Sequence, residues 1–267
     1  MANKTEKIEV KLYNDTVNVT FYPNSHRYKV DKVWLPSVTS ITGQIDKSTI
    51  LLMWAKRVTS EKLFSVPFSD LTPEILAEAV DAPDTEKNNA ARIGSEVHDY
   101  CEKHVKALMG GQKLPNIEDY DDDENVFNGI LAFLKWIDDN DIKFIASEQL
   151  LYSKKMQYIG TTDFLYTKGS EDHKIKHLGD FKTSKGVYMD QFIQMAGYEM
   201  AYEEEFGDKL GYGTLLKLDK FTGEYKEYNT IKEFDGVARE LFINLLSTRL
   251  LLKEGNKQFR KLFKIKT

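Results

Sequence analysis

Apolar residues recur along this chain with two periods, and the change between them marks out its elements. Over residues 9–33 the pattern alternates: Val10, Leu12, Val17, the run 19–22, then 27–30, with Pro23, Asn24 and Ser25 between them as turn formers. Alternation with β-branched and aromatic residues predicts strands. Pro36 and Ser37 open a helix expected to run through Ile41, and a second is expected over 48–63, with Leu51, Leu52, Trp54, Ala55 and Val58 as its apolar face. From 88 to 108 the period is clearly helical. Ile93, Val97, Cys101, Val105 and Leu108 share one stripe, and Gly110 and Gly111 end it. The acidic stretch 118–124 reads as a solvated loop, because consecutive like charges repel and stay in water. A further helix is expected over 126–138.

Strand patterning returns over 145–152, 158–167 and 174–182. A helix over 188–204 leads to a strand at 211–218 and a hairpin partner at 224–230, with Thr222 and Gly223 in the turn. The last amphipathic helix is expected over 234–252. Three meandering strands, a crossover helix and a further strand predict an α/β sandwich around a mixed sheet flanked by helices. The expected organisation is one compact domain. Residues 1–87 form strands and helices packed on the core as an arch or lid, 88–252 form the core, and 253–267 form a basic tail.

With 267 residues, 41% of them hydrophobic and 12% aromatic, the chain can bury a sizeable core. No apolar run approaches the roughly 20 residues that span a bilayer, and residues 1–10 are charged and polar, so no membrane association and an intracellular location are expected. A single cysteine, Cys101, excludes an internal disulfide and a four-cysteine metal or iron–sulfur site. The net charge of −5 does not advertise nucleic-acid binding, but a local basic channel can sit in an acidic exterior.

The chemistry concentrates late in the chain. Asp180 and Lys182 are two apart on an expected strand, so they project from one face. Asp163 lies on the preceding strand. A hairpin turning in the polar segment 168–173 would bring Asp163 and Asp180 opposite each other. Two carboxylates meeting on one face repel unless a cation lies between them, and hard oxygen ligands suit Mg²⁺ or Mn²⁺. A bare Asp-x-Lys also occurs often by chance as a surface ion pair. Its surroundings distinguish it: Gly160, Thr161 and Thr162 precede Asp163, and the helix after Lys182 carries Gln194 and Tyr198, four apart on one face.

In this order the residues resemble the PD-(D/E)xK nuclease superfamily, restriction-endonuclease-like in its core, and within it the RecB-like exonuclease branch. The G-x-x-x-H motif corresponds to residues 94–98, G-x-x-D to 160–163, (D/E)-x-K to 180–182, and Q-x-x-x-Y to 194–198. Together they span about half the chain. Residues 26–28 and 35–41 are similar to the N-terminal region of phage-type exonucleases and of the mitochondrial genome maintenance exonuclease group. The resemblance implies His98, Asp163, Asp180 and the main-chain carbonyl of Phe181 as metal ligands, Lys182 as the catalytic lysine, and Gln194 and Tyr198 as residues lining the site. The helix pattern supports His98 separately, since it borders the buried stripe beside Val97. Glu102, one turn on, holds a second ion, orients His98, or faces solvent. Glu148, on the first strand of the meander, points into the site or stands at its rim, and His104, His173 and His177 read as non-ligands. The iron–sulfur members of the superfamily carry four cysteines, so no cluster is expected here.

Arg92, Ser95 and Lys185 are expected to meet DNA phosphates. The 253–267 segment, with Lys257, Arg260 and Lys261 beside Phe259 and Phe263, suits a nucleic-acid backbone and equally suits a solvated chain end. The expected activity is metal-dependent hydrolysis of DNA from an end, with DNA as partner and recombination or replication proteins alongside. An endonuclease using the same residues, and an inactive DNA- or protein-binding module on a nuclease fold, are the alternatives.

Overall fold

The computed structural model describes residues 7–120, 122–169 and 175–264. Among these the chain is mixed α/β, with two sheets and six α-helices. The first sheet is an antiparallel meander of β1 (Ile8–Leu12), β2 (Val17–Tyr22), β3 (Arg27–Val30) and β4 (Val33–Leu35). Its alternation turns Leu12, Val17, Val19, Tyr28 and Val30 inward. The strand β4 has no counterpart in the sequence-based expectation. A two-residue turn with Asp31 and Lys32 at φ 44° and 70° folds it back on β3, and hairpin turns of that kind are normally signalled by Asn-Gly or Asp-Gly.

Helix α1 (Val38–Thr42) is capped by Ser37, whose side chain accepts from Ser40 N. Helix α2 (Ser48–Phe64) packs along α3 (Pro73–Gly110). The expected start of α3 at residue 88 is corrected to Pro73, where Thr72 caps the helix. Pro83 lies inside it and reads in sequence as a break. Fully buried Ala79 shows that the half before residue 88 has packing of its own. Helix α4 (Glu124–Asn140) is capped by Asp123, which accepts from Asn125 N. The acidic segment is therefore not only a solvated loop: Ile117–Tyr120 is a 3-10 turn and Asp123 starts a helix.

The second sheet runs in order β5 (Ile142–Ser153), β6 (Tyr158–Lys168), β7 (His177–Lys182), β8 (Gly213–Leu218), β9 (Tyr225–Asn229). The first three are antiparallel, and α5 (Met189–Phe206) carries the chain over to β8, parallel to β7. Strand β9 returns antiparallel. The expected mixed sheet with one crossover helix is thus observed. The hairpin expected within 168–173 falls largely in 170–174, outside the described residues.

Side chains from both faces of this sheet are buried. On one face Leu165, Leu178 and Leu215 pack against α1, α5 and α6 (Lys232–Leu262). On the other, Phe164, Tyr166, Phe181 and Leu216 pack against α3 and α4 around Trp136. A third cluster joins the sheets, with Val19 and Tyr28 against Leu150, Tyr152 and Ile159. The last helix is longer than expected. It continues to Leu262, so much of the expected tail is exposed helix. Among the described residues no helix is long and apolar enough to cross a membrane.

Gly179 shows how closely these layers approach. A Cβ there would lie 2.0 Å from Phe164 Cζ, whose ring stacks on Phe181 at 4.6 Å. Gly179→Ala is expected to lower unfolding free energy by about 1–3 kcal/mol through overpacking. Urea unfolding checks this; an unchanged midpoint would show that the Phe164–Phe181 stack yields freely.

Candidate active site

Strand pairing brings the two aspartates together. Phe164 pairs with Gly179, so the next step along the register sets Asp163 beside Asp180, on one face. The backbone N–H of Phe181 donates to Asp163 Oδ2 at 2.6 Å. Two positions on from Asp180, on the same face, Lys182 forms an ion pair with its Oδ2. That oxygen is buried and accepts no hydrogen bond of ordinary geometry. From α5, Gln194 Nε2 donates to Asp180 Oδ1 at 3.3 Å and to Tyr198 Oη at 2.9 Å. From α3, His98 sets its ring edge-on to Phe181 and its Nδ1 3.7 Å from Asp163 Oδ2. The structure therefore assembles His98, Asp163, Asp180, Lys182, Gln194 and Tyr198 from four separate elements.

The electrostatics are unbalanced towards negative charge. Burial, and then the charge of Asp180, push the Asp163 carboxyl above its ordinary range. Burial alone would lower Lys182, but Asp180 and Asp163 outweigh it and hold the ammonium protonated more tightly than usual. Burial also raises Tyr198, with Asp180 adding to it, so its hydroxyl keeps its proton.

These residues open onto a cleft of about 540 Å³. Its walls include His98, Glu102, Asp163, Asp180, Gln194 and Tyr198, and also Glu148. Glu148 lines the cleft from β5 and is exposed there, which fits a residue at the rim that also faces the site. It occupies a left-handed conformation inside β5, at φ 52°, where a non-glycine residue is strained. The β5–β6 ladder pairs Ser147 with Phe164 and Gln149 with Thr162 but skips Glu148 and Asp163 between them. Its carboxyl is pushed up to about 8 by burial, then by Asp163 and Glu102. The one signal available in sequence was its position on the strand beside Asp163.

Two glycines of the motifs permit close approach. A Cβ on Gly160 would meet Tyr198 Cε1 at 2.7 Å and Val38 Cγ2 at 2.8 Å; one on Gly94 would lie 3.1 Å from Thr183 Oγ1. The motifs are thus physically interlocked: 160 touches 198, and 94 touches the residue after Lys182. The first sheet also lends His26 and Tyr28 to the cleft, joined by Ser37 and Thr39; Tyr28 Oη lies 3.1 Å from Thr161 Oγ1.

Other expected site residues are placed less centrally. Glu102 lines the cleft but is ion-paired with Lys106. Ser95 lines it too, with its hydroxyl donating to Ala91 O at 3.0 Å. Arg92 is engaged by Glu96 and Asp123. Lys185 pairs with Glu86 at 3.3 Å. Lys257, Arg260 and Lys261 lie on the exposed end of α6. His104 is buried against Tyr100 and Phe133, and His177 against Tyr166 and Tyr212, while His173 lies outside the described residues.

Two carboxylates, an imidazole and the Phe181 carbonyl make a donor set suited to a hard divalent cation. Among the described residues, no three His, Cys, Asp or Glu side chains yet form a cation-holding group. Lys182 sits on Asp180 Oδ2 and the Phe181 N–H on Asp163 Oδ2, so an ion must compete with both. Compared with known protein families and with curated proteins, the chain matches no family model and no curated protein.

The raised carboxyls set a pH dependence. Glu148 takes its proton near 8 when folded and near 4.3 in an unfolded chain. Between those values the folded state holds a proton that the unfolded state has released, so stability falls as pH rises. The raised Asp163 acts with the same sign. In chelator, wild-type protein is expected to lose stability from pH 5 to 8, and Glu148→Gln to flatten that slope. Parallel urea-unfolding profiles for the two proteins would refute the raised titration of Glu148.

Proposed function

We propose that this protein is a metal-dependent deoxyribonuclease with a PD-(D/E)xK core, acting as an exonuclease on DNA ends. One observation carries the reading: Asp163 and Asp180 are held side by side in a buried corner of the cleft, with Lys182 and His98 against them. A merely structural pair of carboxylates gains nothing from that arrangement, since each raises the cost of ionising the other.

His98, Asp163, Asp180 and the Phe181 carbonyl are the residues that would hold Mg²⁺ or Mn²⁺, with Glu102 and Glu148 at hand for a second ion. When bound, such an ion supplies Lewis-acid stabilisation of the charge that builds on a phosphodiester. The chain's own residues do the rest. Lys182 Nζ stays protonated and donates to the oxygen of a water, which turns a lone pair towards phosphorus. Gln194 fixes Asp180 through Oδ1 and is itself tied to Tyr198. Tyr198 and Gly160 close the floor of the cleft. Fixed dipoles placed before the reaction need no reorganisation during it.

Cleavage of end-labelled DNA is expected to require Mg²⁺ or Mn²⁺ and to stop in excess EDTA. Lys182→Ala is expected to lower turnover by roughly 10²–10⁴-fold while divalent-ion binding, followed by calorimetry, persists. Asp180→Asn is expected to lose both. Wild-type turnover in Lys182→Ala sinks the assignment.

The end requirement has its own test. The first sheet borders the cleft through His26 and Tyr28, and a strand that must thread past such a border needs a free end. A linear single strand is expected to be degraded and the covalently closed circle of the same sequence spared. Equal degradation makes the enzyme an endonuclease.

A further inference from the structure

We propose that Lys220 and Lys185 form a phosphate subsite beyond Lys182, binding the backbone of a nucleic-acid strand next to the phosphodiester to be cleaved. The identity of the strand rests on the hydrolase reading; the anion site rests on the lysines themselves.

The turn after β8 is rigidly built. Asp219 Oδ1 accepts from Phe221 N at 3.0 Å and Thr222 N at 3.3 Å, and Gly223 N donates to Asp219 O at 2.9 Å. Asp219 Oδ2 is taken by Lys217 at 2.9 Å. Its neighbour Lys220 is therefore left without the adjacent carboxylate. Lys220 is only 8% exposed; among the described residues its Nζ makes no ion pair or hydrogen bond, lies 5.7 Å from the centre of the Phe221 ring, and still reaches solvent. An ammonium on a mostly covered stem, with no carboxylate beside it, has lost part of its hydration, and an anion arriving from solvent restores the missing counter-charge.

The surrounding charges do not supply it. Burial and the nearby charge of Lys185 both make Lys220 harder to protonate, only partly offset by Asp123 and Glu86. Each of those acids already has its own cation: Arg92 holds Asp123, and Lys185 pairs with Glu86. Arg92 is shared between Asp123 and Glu96, and Lys185 is taken by Glu86, so among the described residues none of these acids pairs directly with Lys220.

Topology aims the pair. Strands β7 and β8 are parallel, with Lys182 opposite Lys217. Lys185 and Lys220 each follow their strand residue by three positions. Both therefore emerge beyond the carboxyl ends of parallel strands, where α/β sheets bind ligands. Both segments turn as they leave the strands, so the two lysines lie at the same end of the sheet as Lys182. Two flexible point charges suit a phosphate approached from several directions.

The test uses full-length protein carrying Asp180→Asn, to prevent cleavage, and a fluorescein-labelled oligothymidylate read by anisotropy across a salt series without divalent metal. Lys220→Gln and Lys185→Gln are each expected to weaken binding several-fold and to reduce the slope of log affinity against log salt by about 0.7. Lys217→Gln, which removes a lysine already paired to Asp219, is expected to change neither, and Lys220→Arg is expected to keep the slope. Inorganic phosphate is expected to raise the melting temperature of the parent but not of Lys220→Gln. An unchanged slope in both Gln variants, or no binding by the parent, overturns the subsite. If Lys220→Gln does not fold, the slope of Lys185→Gln decides alone. Wild-type cleavage with an unchanged slope in the variants fails this inference and spares the nuclease; the reverse outcome spares the subsite.

Discussion

Two carboxylates cannot share a buried corner of a β-sheet without something to offset their repulsion and their lost hydration. In this chain that constraint falls on Asp163 and Asp180, and much of the fold around them answers it. The β6–β7 register sets them side by side. A backbone N–H from Phe181 reaches Asp163, and Lys182 reaches Asp180. Gln194 adds a donor from α5. These partners do not neutralise the cluster, since Glu148 lies on the same wall with its carboxyl pushed up to about 8. Carboxyls crowd this wall more than the cations around it balance, and the raised Asp163 and Glu148 show that the crowding is met partly by holding protons.

Strain at Glu148 belongs to the same account. A residue inside a strand ordinarily keeps an extended backbone, and its side chain alternates faces with its neighbours. Glu148 at φ 52° breaks that pattern, and the ladder skips it opposite Asp163. Such conformations persist only where surrounding structure over-determines them. Here the surroundings are firm on both sides: Leu150 and Tyr152 are buried with the first sheet, and Phe144 packs against Trp136.

The cluster around Asp163 and Asp180 was legible in sequence because its geometry follows from short-range rules. Asp180 and Lys182 share a face by period two, Gln194 and Tyr198 by helical period, and Asp163 meets Asp180 by hairpin symmetry. What was not legible depended on longer range. The left-handed backbone at Glu148 was not foreseen, because nothing local announces such a residue in a strand. The first half of α3 was missed because Pro83 suggests a break and its support comes from α2. The strand β4 was missed because Asp31 and Lys32 are not the residues that usually mark such a turn. Arg92 and Lys185 were read as free phosphate binders, yet their carboxylate partners come from elsewhere in the fold or from one helical turn away.

The length of α3 has a mechanical consequence. One continuous helix of 38 residues carries Ala79, buried beside α2, and also His98, which faces Asp163. Between them lies Gly94, whose missing Cβ lets the helix settle against Thr183, one residue beyond Lys182. The contact fixes the helix where it passes the strand end, so His98 is placed by packing of Val97 and Cys101 into the core rather than by its own weak 3.7 Å approach to Asp163. An imidazole held by its helix keeps its position whether or not its neighbour is charged. Beside carboxyls whose charge changes with their protons, the helix thus supplies one group whose position is set by packing alone.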